Sequence, residues 1–350
     1  MSEQLVSASC PVALSANDCV TLSHGEGGRA MRKLIQNRII AKLGDTVQID
    51  SDAADIGAVT GNIAITTDSF VVTPMFFPGG DIGSLAVFGT VNDLAMAGAD
   101  PMFLTLSLII EEGFALETLD RIMASIARCA NQCGVSIVAG DTKVVPKGAA
   151  DGIFINTTGV GALHTPRVKG ADHIEEGDCL VFSGPIAQHG LAVLSARESL
   201  GFTPPPTSDS APLHRIASAL RHKLGSDLHA MRDATRGGVA AVLHEWAEVC
   251  GKAIWIEESK VRLSPASQGI CEMLGLDPLF IANEGTFVAA VAQHRCAGAL
   301  DLLRSFPTTS ECSQVGQVRK RELSPVIIQR AIGVDQPLDE PIGAMLPRIC

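Results

Sequence analysis

Apolar and polar positions follow two periods along this chain, and those periods lay out its elements. Residues 29–40 carry apolar positions at helical spacing, and 62–72 (NIAITTDSFVV) read as a strand bounded by turn residues. Residues 83–99 are apolar enough for a buried helix, yet carry Asn92 and Asp93 in the middle. A strand is expected over 102–110, and Leu116, Leu119, Met123, Ile126 and Ala130 form a helical stripe. Strands over 135–139 and 152–160 flank an expected Gly140-Asp141 loop. A second block opens with a strand at 179–183 and a helix at 190–200. Residues 203–212 (TPPPTSDSAP) have the composition of a surface linker. Helices follow at 214–224, 239–250 and 267–274, with a strand at 253–257. Residues 279–292 read as a hairpin turning at Asn283-Glu284-Gly285, and a helix at 294–306 and a strand at 315–320 close the block.

Both blocks mix strands with helices, which predicts an α+β protein of two domains, and 350 residues suit that number. The expected division is an extension at 1–20, an N-terminal domain at 21–163, a C-terminal domain at 164–334 and a tail at 335–350. The tail carries Pro337, Pro341 and Pro347 without periodicity, so it is expected to be mobile and to carry Cys350 at its end.

Composition narrows the function classes. With 27 basic and 38 acidic side chains the net charge is −11, which argues against nucleic acid or an acidic membrane surface as the main partner. No run approaches the roughly 18 apolar residues of a membrane span, and the first twenty residues lack a basic leader region, so a cytoplasmic protein is expected. In that compartment the ten cysteines stay reduced, and most lie in apolar runs as small core residues. Cys129 and Cys133 stand four apart on a helix, but no second pair completes a zinc set. Cys350 differs because it ends the chain.

Four features carry chemistry. The first is a set of carboxylates beside strands or inside apolar runs: Asp52, Asp55, Asp68, Asp93, Asp141 and Asp233. Singly, each reads as a cap or a solvated turn residue. Together they suit Mg²⁺, which takes oxygen ligands and bridges carboxylates to nucleotide phosphates. The second is three glycine-rich loops, His24-Gly25-Glu26-Gly27-Gly28, Pro78-Gly79-Gly80-Asp81 and Arg236-Gly237-Gly238, in which backbone N–H groups can approach phosphate closely. None matches a P-loop or a dinucleotide fingerprint. The third is Lys143 with Glu284. Residue type alone favours a surface lysine and a turn glutamate, but near phosphates they could balance charge and take a proton. The fourth is the terminus Leu346-Pro347-Arg348-Ile349-Cys350, a thiol on a tail able to reach a site or a partner.

Taken in order, these segments resemble the ATP-using superfamily of aminoimidazole ribonucleotide synthetase, selenophosphate synthetase and thiamine-monophosphate kinase. The resemblance rests on Ser51-Asp52-Ala53-Ala54, Thr67-Asp68-Ser69, Asn92-Asp93-Leu94-Ala95-Met96-Ala97-Gly98-Ala99, Gly140-Asp141-Thr142 and Asp233-Ala234-Thr235-Arg236-Gly237-Gly238. Within that superfamily the chain is similar, from about Val20 onward, to the carbamoyl dehydratases of [NiFe]-hydrogenase maturation. The segment from His24 to Met31, Phe76-Phe77-Pro78-Gly79-Gly80-Asp81, Gly140-Asp141-Thr142-Lys143, Ala282-Asn283-Glu284-Gly285 and the terminal Pro347-Arg348-Ile349-Cys350 carry this closer match. One departure is Ala187-Gln188, where the family pattern has Gly-Asp.

The resemblance implies a PurM-like fold whose N-terminal sheet domain forms a homodimer, with an α/β-sandwich C-terminal domain. It implies ATP bound by Gly27, Gly28, Asp68, Asn92, Asp93, Asp141, Thr142, Asp233 and Arg236, and Mg²⁺ held by candidates among Asp52, Asp68, Asp93, Asp141 and Asp233. A partner, HypF, would place a carbamoyl group on the Cys350 sulfur. ATP would then drive its dehydration to a thiocyanate, with Glu284 as the base and Lys143 balancing charge, or the reverse. The cyano group would pass to a HypC–HypD complex for the iron centre. Two other readings remain: a small-molecule kinase or synthetase of the same superfamily, and a non-catalytic, nucleotide-gated carrier.

Overall fold

The structure, a computed structural model, describes residues 18–26, 28–44, 47–48, 53–321 and 324–341. The chain opens with α1 (Arg29–Leu34), which continues through a wider π-type turn at Ile35–Ile40 into α2 (Ala41–Leu43). There follow β1 (Asn62–Phe70), a two-residue hairpin of β2 (Phe76–Phe77) and β3 (Gly80–Asp81), α3 (Ile82–Met96), β4 (Ala99–Glu111), α4 (Leu116–Cys133), β5 (Ser136–Val145) and β6 (Ile153–Leu163). The long strands form one sheet in the order β1-β6-β4-β5, antiparallel except for the parallel pair β4 and β5.

Capping and burial explain the two long helices. Asp81 accepts from the Ser84 amide while the Ser84 hydroxyl accepts from the Asp81 amide, satisfying two N-terminal donors of α3. Every residue of α3 is buried except Asp93, so this helix has no polar face to present. In α4 the predicted stripe is buried against the sheet, and Gly134 at φ 71° ends the helix in the left-handed region that glycine adopts without strain.

The second block holds β7 (Cys179–Phe182), α5 (Gln188–Arg197), α6 (His214–Leu224), β8 (Leu228–Asp233), α7 (Gly238–Cys250), β9 (Ala253–Glu257), α8 (Pro265–Leu274), β10 (Phe287–Val291), α9 (Cys296–Arg304), β11 (Ser313–Arg319), β12 (Val326–Gln329) and β13 (Asp335–Pro337). Its seven-stranded sheet runs β13-β12-β9-β11-β7-β10-β8. One face packs on α7, and the other on α6 and α9, together with Ala95 and Met96 from the end of α3. The α+β, two-domain expectation therefore holds. Arg221 of α6 is only 1% exposed and ties the two blocks, donating to the carbonyls of His164 and Pro166 and to Asp100 at 2.9 Å.

The structure corrects four readings. Gly140-Asp141 is not a loop, because β5 runs through it, paired to β4 up to Val145. A Cβ at Gly140 would lie 2.4 Å from the Leu106 carbonyl, so glycine serves close strand approach there. Residues 279–292 do not form a hairpin, since only β10 is extended and it pairs with β7 and β8. Residues 203–212 are not wholly a surface linker, because Pro206 and Ser208 are buried and the Ser208 amide bonds the Pro78 carbonyl of the first block. The tail begins later than 335, because β13 joins the sheet beside β12 and Leu338 is buried.

Candidate active site

A cavity of about 680 Å³ lies where β1, α3, β8 and the 281–286 segment meet. Asp68 of β1, Asp93 of α3, Asp233 at the end of β8 and Glu284 all line it, with Arg232 and Arg236. Alternation along β1 leaves Ile63, Ile65 and Thr67 outside and turns Asp68 inward toward α3. Asp93 accepts from the Thr66 hydroxyl at 3.0 Å, and Asp68 accepts from the Ser69 amide at 2.8 Å. Among the described residues nothing hydrogen-bonds the Glu284 carboxyl.

Burial and mutual repulsion shape the ionisation of Asp93, Asp233 and Glu284. Burial, reinforced by the neighbouring Asp93, pushes Asp233 up to about 7. Burial is also the first cause for Glu284, which lies well above the ordinary carboxylate range, with Asp233 and Asp209 adding repulsion. Asp93 is raised by burial as well, against the hydrogen bond from Thr66. Such a set is costly without a cation. Its all-oxygen donors fit Mg²⁺ and not a soft metal. In the ligand-free geometry no three His, Cys, Asp or Glu groups among the described residues converge as a closed metal cage. Mg²⁺ commonly uses one or two carboxylates plus substrate phosphates.

The other predicted residues fall in different places. Asp68, Thr157, Leu106 and Gly140 form one row across the sheet, so β5 stands three strand spacings from Asp68, about 14 Å. Asp141 and Lys143 lie on the outward face of β5, 3.5 Å apart and both exposed. Lys143 is therefore not beside Glu284 within one chain, contrary to the expectation that the two act side by side. Thr142 is buried and, with Asp141, lines a second cavity against α1. Asn92 does not line the main cavity. Its amide donates to the carbonyls of Ala211 and Glu284 and accepts from Leu213 N–H, which makes it a joint between the blocks. Gly28 caps the start of α1. Gly27, Asp52 and Cys350 lie outside the described residues.

Two contributors escaped the sequence reading. Arg232 lies one residue before Asp233 and is the positive neighbour of the acidic set. Asp209 sits in the supposed linker and accepts hydrogen bonds from the Glu284 and Gly285 amides. A basic residue beside a site carboxylate offered some signal for the first, whereas the proline-rich surroundings of Asp209 concealed the second.

The end of the described chain lies at the same place. Leu338 donates to the Val326 carbonyl, its own carbonyl accepts from His244 Nε2 at 3.1 Å, and Pro341 packs against Gly237, next to Arg236.

Comparison with known proteins gives the family of the chain. Residues 50–163 match the AIR synthase related protein N-terminal domain and residues 175–328 match the corresponding C-terminal domain. The chain is 42% identical over 337 residues to the carbamoyl dehydratase HypE of Rhizobium leguminosarum bv. viciae, covering 96% of each protein. It is similar to a solved hydrogenase maturation protein HypE in complex with ATP, at a TM-score of 0.89 and 40% identity over 94% of this chain and 99% of that one. A HypE chain from a HypE–HypF complex aligns at a TM-score of 0.78 and 41% identity, covering 90% of this chain and 100% of that one. On these grounds the chain belongs to the HypE family of carbamoyl dehydratases, within the AIR synthase related proteins.

Proposed function

We propose that this protein uses ATP to remove water from a carbamoyl group carried on the Cys350 sulfur. The observation that carries this reading is the meeting of Asp68, Asp93, Asp233 and Glu284 on one cavity, with the described chain ending at Pro341, 3.7 Å from where a Cβ on Gly237 would stand, one residue past Arg236 of the lining. Nine residues remain beyond that point, and an extended chain of that length reaches about 30 Å, ample to bring a terminal thiol to Glu284.

The reaction balances as Cys–S–C(=O)–NH₂ plus ATP giving Cys–S–C≡N, ADP and phosphate. The carboxamide oxygen bonds to the γ-phosphorus and the bond to ADP breaks. Phosphorylation turns a poor leaving group into a good one. Loss of the nitrogen protons and departure of phosphate, carrying the former carbamoyl oxygen, then leave the nitrile. Glu284 is the candidate base, since its carboxyl enters the cavity with no protein partner. Its raised proton affinity suits that task. Arg232 and Arg236 would balance charge on the polyphosphate. One or two carboxylates from among Asp68, Asp93 and Asp233, together with the phosphates, would hold Mg²⁺, which would neutralise the triphosphate and orient it for in-line transfer.

Lys143 and Asp141 enter this scheme through a second copy of the chain. They share the outward sheet face with Ile63, 52% exposed, Ile65, 72% exposed, and Ile109, 39% exposed, an apolar face suited to a homodimer. In such a dimer the charge-balancing lysine comes from the partner. HypF, found with a HypE in a solved complex, is the proposed carbamoyl donor, and a HypC–HypD complex the proposed acceptor of the cyano group. These partners and ATP put the reaction in the cytoplasm.

The deciding experiment is intact-mass analysis after treatment with HypF, carbamoyl phosphate and ATP, with Cys350→Ala as control. The expected result is a carbamoyl adduct that loses one water on the wild type and no adduct on the variant. An adduct that ATP leaves unchanged would support a carrier, and no adduct with turnover of a free substrate would support a small-molecule kinase.

A further inference from the structure

The carboxylate that orders the Glu284 turn comes from the segment whose composition resembles a linker. One Asp209 oxygen accepts from the Glu284 amide at 3.1 Å, and the other accepts from the Gly285 amide at 3.0 Å and the Thr286 hydroxyl at 3.1 Å. The two segments are pressed together, since a Cβ on Gly285 would lie 1.8 Å from the Asp209 carbonyl oxygen. With no hydrogen bond to the Glu284 carboxyl, the direction of that side chain is set by its backbone, and Asp209 holds that backbone. Asp209 itself does not line the cavity. Its own position is fixed from both blocks. The Ser208 amide donates to the Pro78 carbonyl at 2.9 Å, and the Ser208 hydroxyl is 2.9 Å from His189 Nδ1. Beyond it, Ala211 O and Leu213 N–H both bond the Asn92 amide. The strap therefore runs from the β2–β3 hairpin to α3 and holds the turn between them.

We propose that Asp209 is a positioning residue for the dehydration step. It clamps the Glu284-Gly285-Thr286 turn so that the Glu284 carboxyl enters the cavity beside Asp93 and Asp233, and it does not touch substrate. This rests on the assignment of Glu284 to the chemistry. The Glu284 and Gly285 amides each take one Asp209 oxygen, and the Thr286 hydroxyl shares its proton between Asp209 and the Pro185 carbonyl at 3.2 Å, so both carboxylate oxygens must accept. In Asp209→Asn one oxygen becomes an amide that faces donors, leaving at least one of them unpaired. The strap and the turn then lose their register, while Asp68, Asp93 and Arg232 keep their positions. Turnover should fall about ten- to a hundred-fold with the KM for ATP nearly unchanged.

The test follows ATP-dependent water loss from the carbamoylated full-length protein by intact mass, in wild type, Asp209→Asn, Glu284→Gln and the double variant. Carbamoylation by HypF reports folding of each. The expected result is slow dehydration in Asp209→Asn and a double variant no slower than Glu284→Gln, because Asp209 acts only through Glu284. Thr286→Val, which removes one of the three bonds, should show the same non-additivity with a smaller loss and keeps the test open if Asp209→Asn fails to fold. Two results would overturn the proposal alone: wild-type dehydration by Asp209→Asn beside an impaired Glu284→Gln, or a double variant slowed by the product of both effects. A Glu284→Gln variant that dehydrates normally would instead overturn the role of Glu284, and this proposal with it.

Discussion

Asp233 shows how one residue joins stability to function. Its carboxyl is raised to about 7 from an ordinary 3.8 because it is buried beside Asp93. The folded state therefore binds more protons than the unfolded chain between those two values, and stability falls as pH rises through that window. Below about pH 4 both states are protonated and the penalty disappears. Asp233→Asn should accordingly stabilise the ligand-free protein at pH 8 by a few kcal/mol, since each tenfold change in proton affinity is worth about 1.4 kcal/mol. Calorimetry at pH 8 and pH 4 checks this, with little gain expected at the lower pH. The same substitution should weaken binding of Mg²⁺ and ATP, because the repulsion among these carboxylates is what a cation relieves.

The start of α5 carries the chain's departure from its family pattern, and here an element pays for one side chain. Ala187 occupies the N-cap of α5 at φ 71°, a left-handed backbone that glycine adopts freely and alanine only at a cost. The element keeps its shape because the Ala187 amide donates to Asn283 Oδ1 at 2.7 Å, and Asn283 in turn donates to Ala234 O and Ile281 O at 3.0 Å. These bonds tie α5 to the segment that precedes Glu284. Ala187→Gly should relieve the strain and stabilise the fold by about 1 kcal/mol, seen as a higher urea midpoint with an unchanged slope. Dehydration activity should be unaffected, because the backbone already holds the required conformation.

At the scale of the whole molecule, the site is complete only when parts from distant regions meet. Arg221 and the 206–213 strap fix the two blocks relative to each other, and the cavity lies between them. The outward sheet face carries Lys143 and the exposed isoleucines, and the proposed dimer would bring that lysine to a second copy's site. Mixing two inactive proteins, Lys143→Ala and Glu284→Gln, decides the matter. If Lys143 acts in the partner's site, a mixed dimer contains one intact site and dehydration returns. If Lys143 acts within its own chain, every site stays defective and the mixture stays inactive. Ile65→Asp should give a monomer in sedimentation that no longer dehydrates.

Periodicity alone located α6 and β9 with the residues at their ends, and the long stripe of α4, because each has strong apolar spacing between clear stop signals. It also flagged Asp68 and Asp93, since a carboxylate inside an apolar run is conspicuous. Short buried strands such as β8 and β12 escaped, because a few apolar residues carry no distinguishing period. The terminal cysteine, the acidic set and the resemblance to ATP-using enzymes were all legible as local patterns. Which carboxylates share one cavity, which lysine lies across the sheet, and what holds Glu284 were not. Those are long-range matters: sheet order separates Lys143 from Glu284, packing between blocks brings Asp209 to the turn, and burial raises Asp233, none of which is encoded by neighbours in the chain.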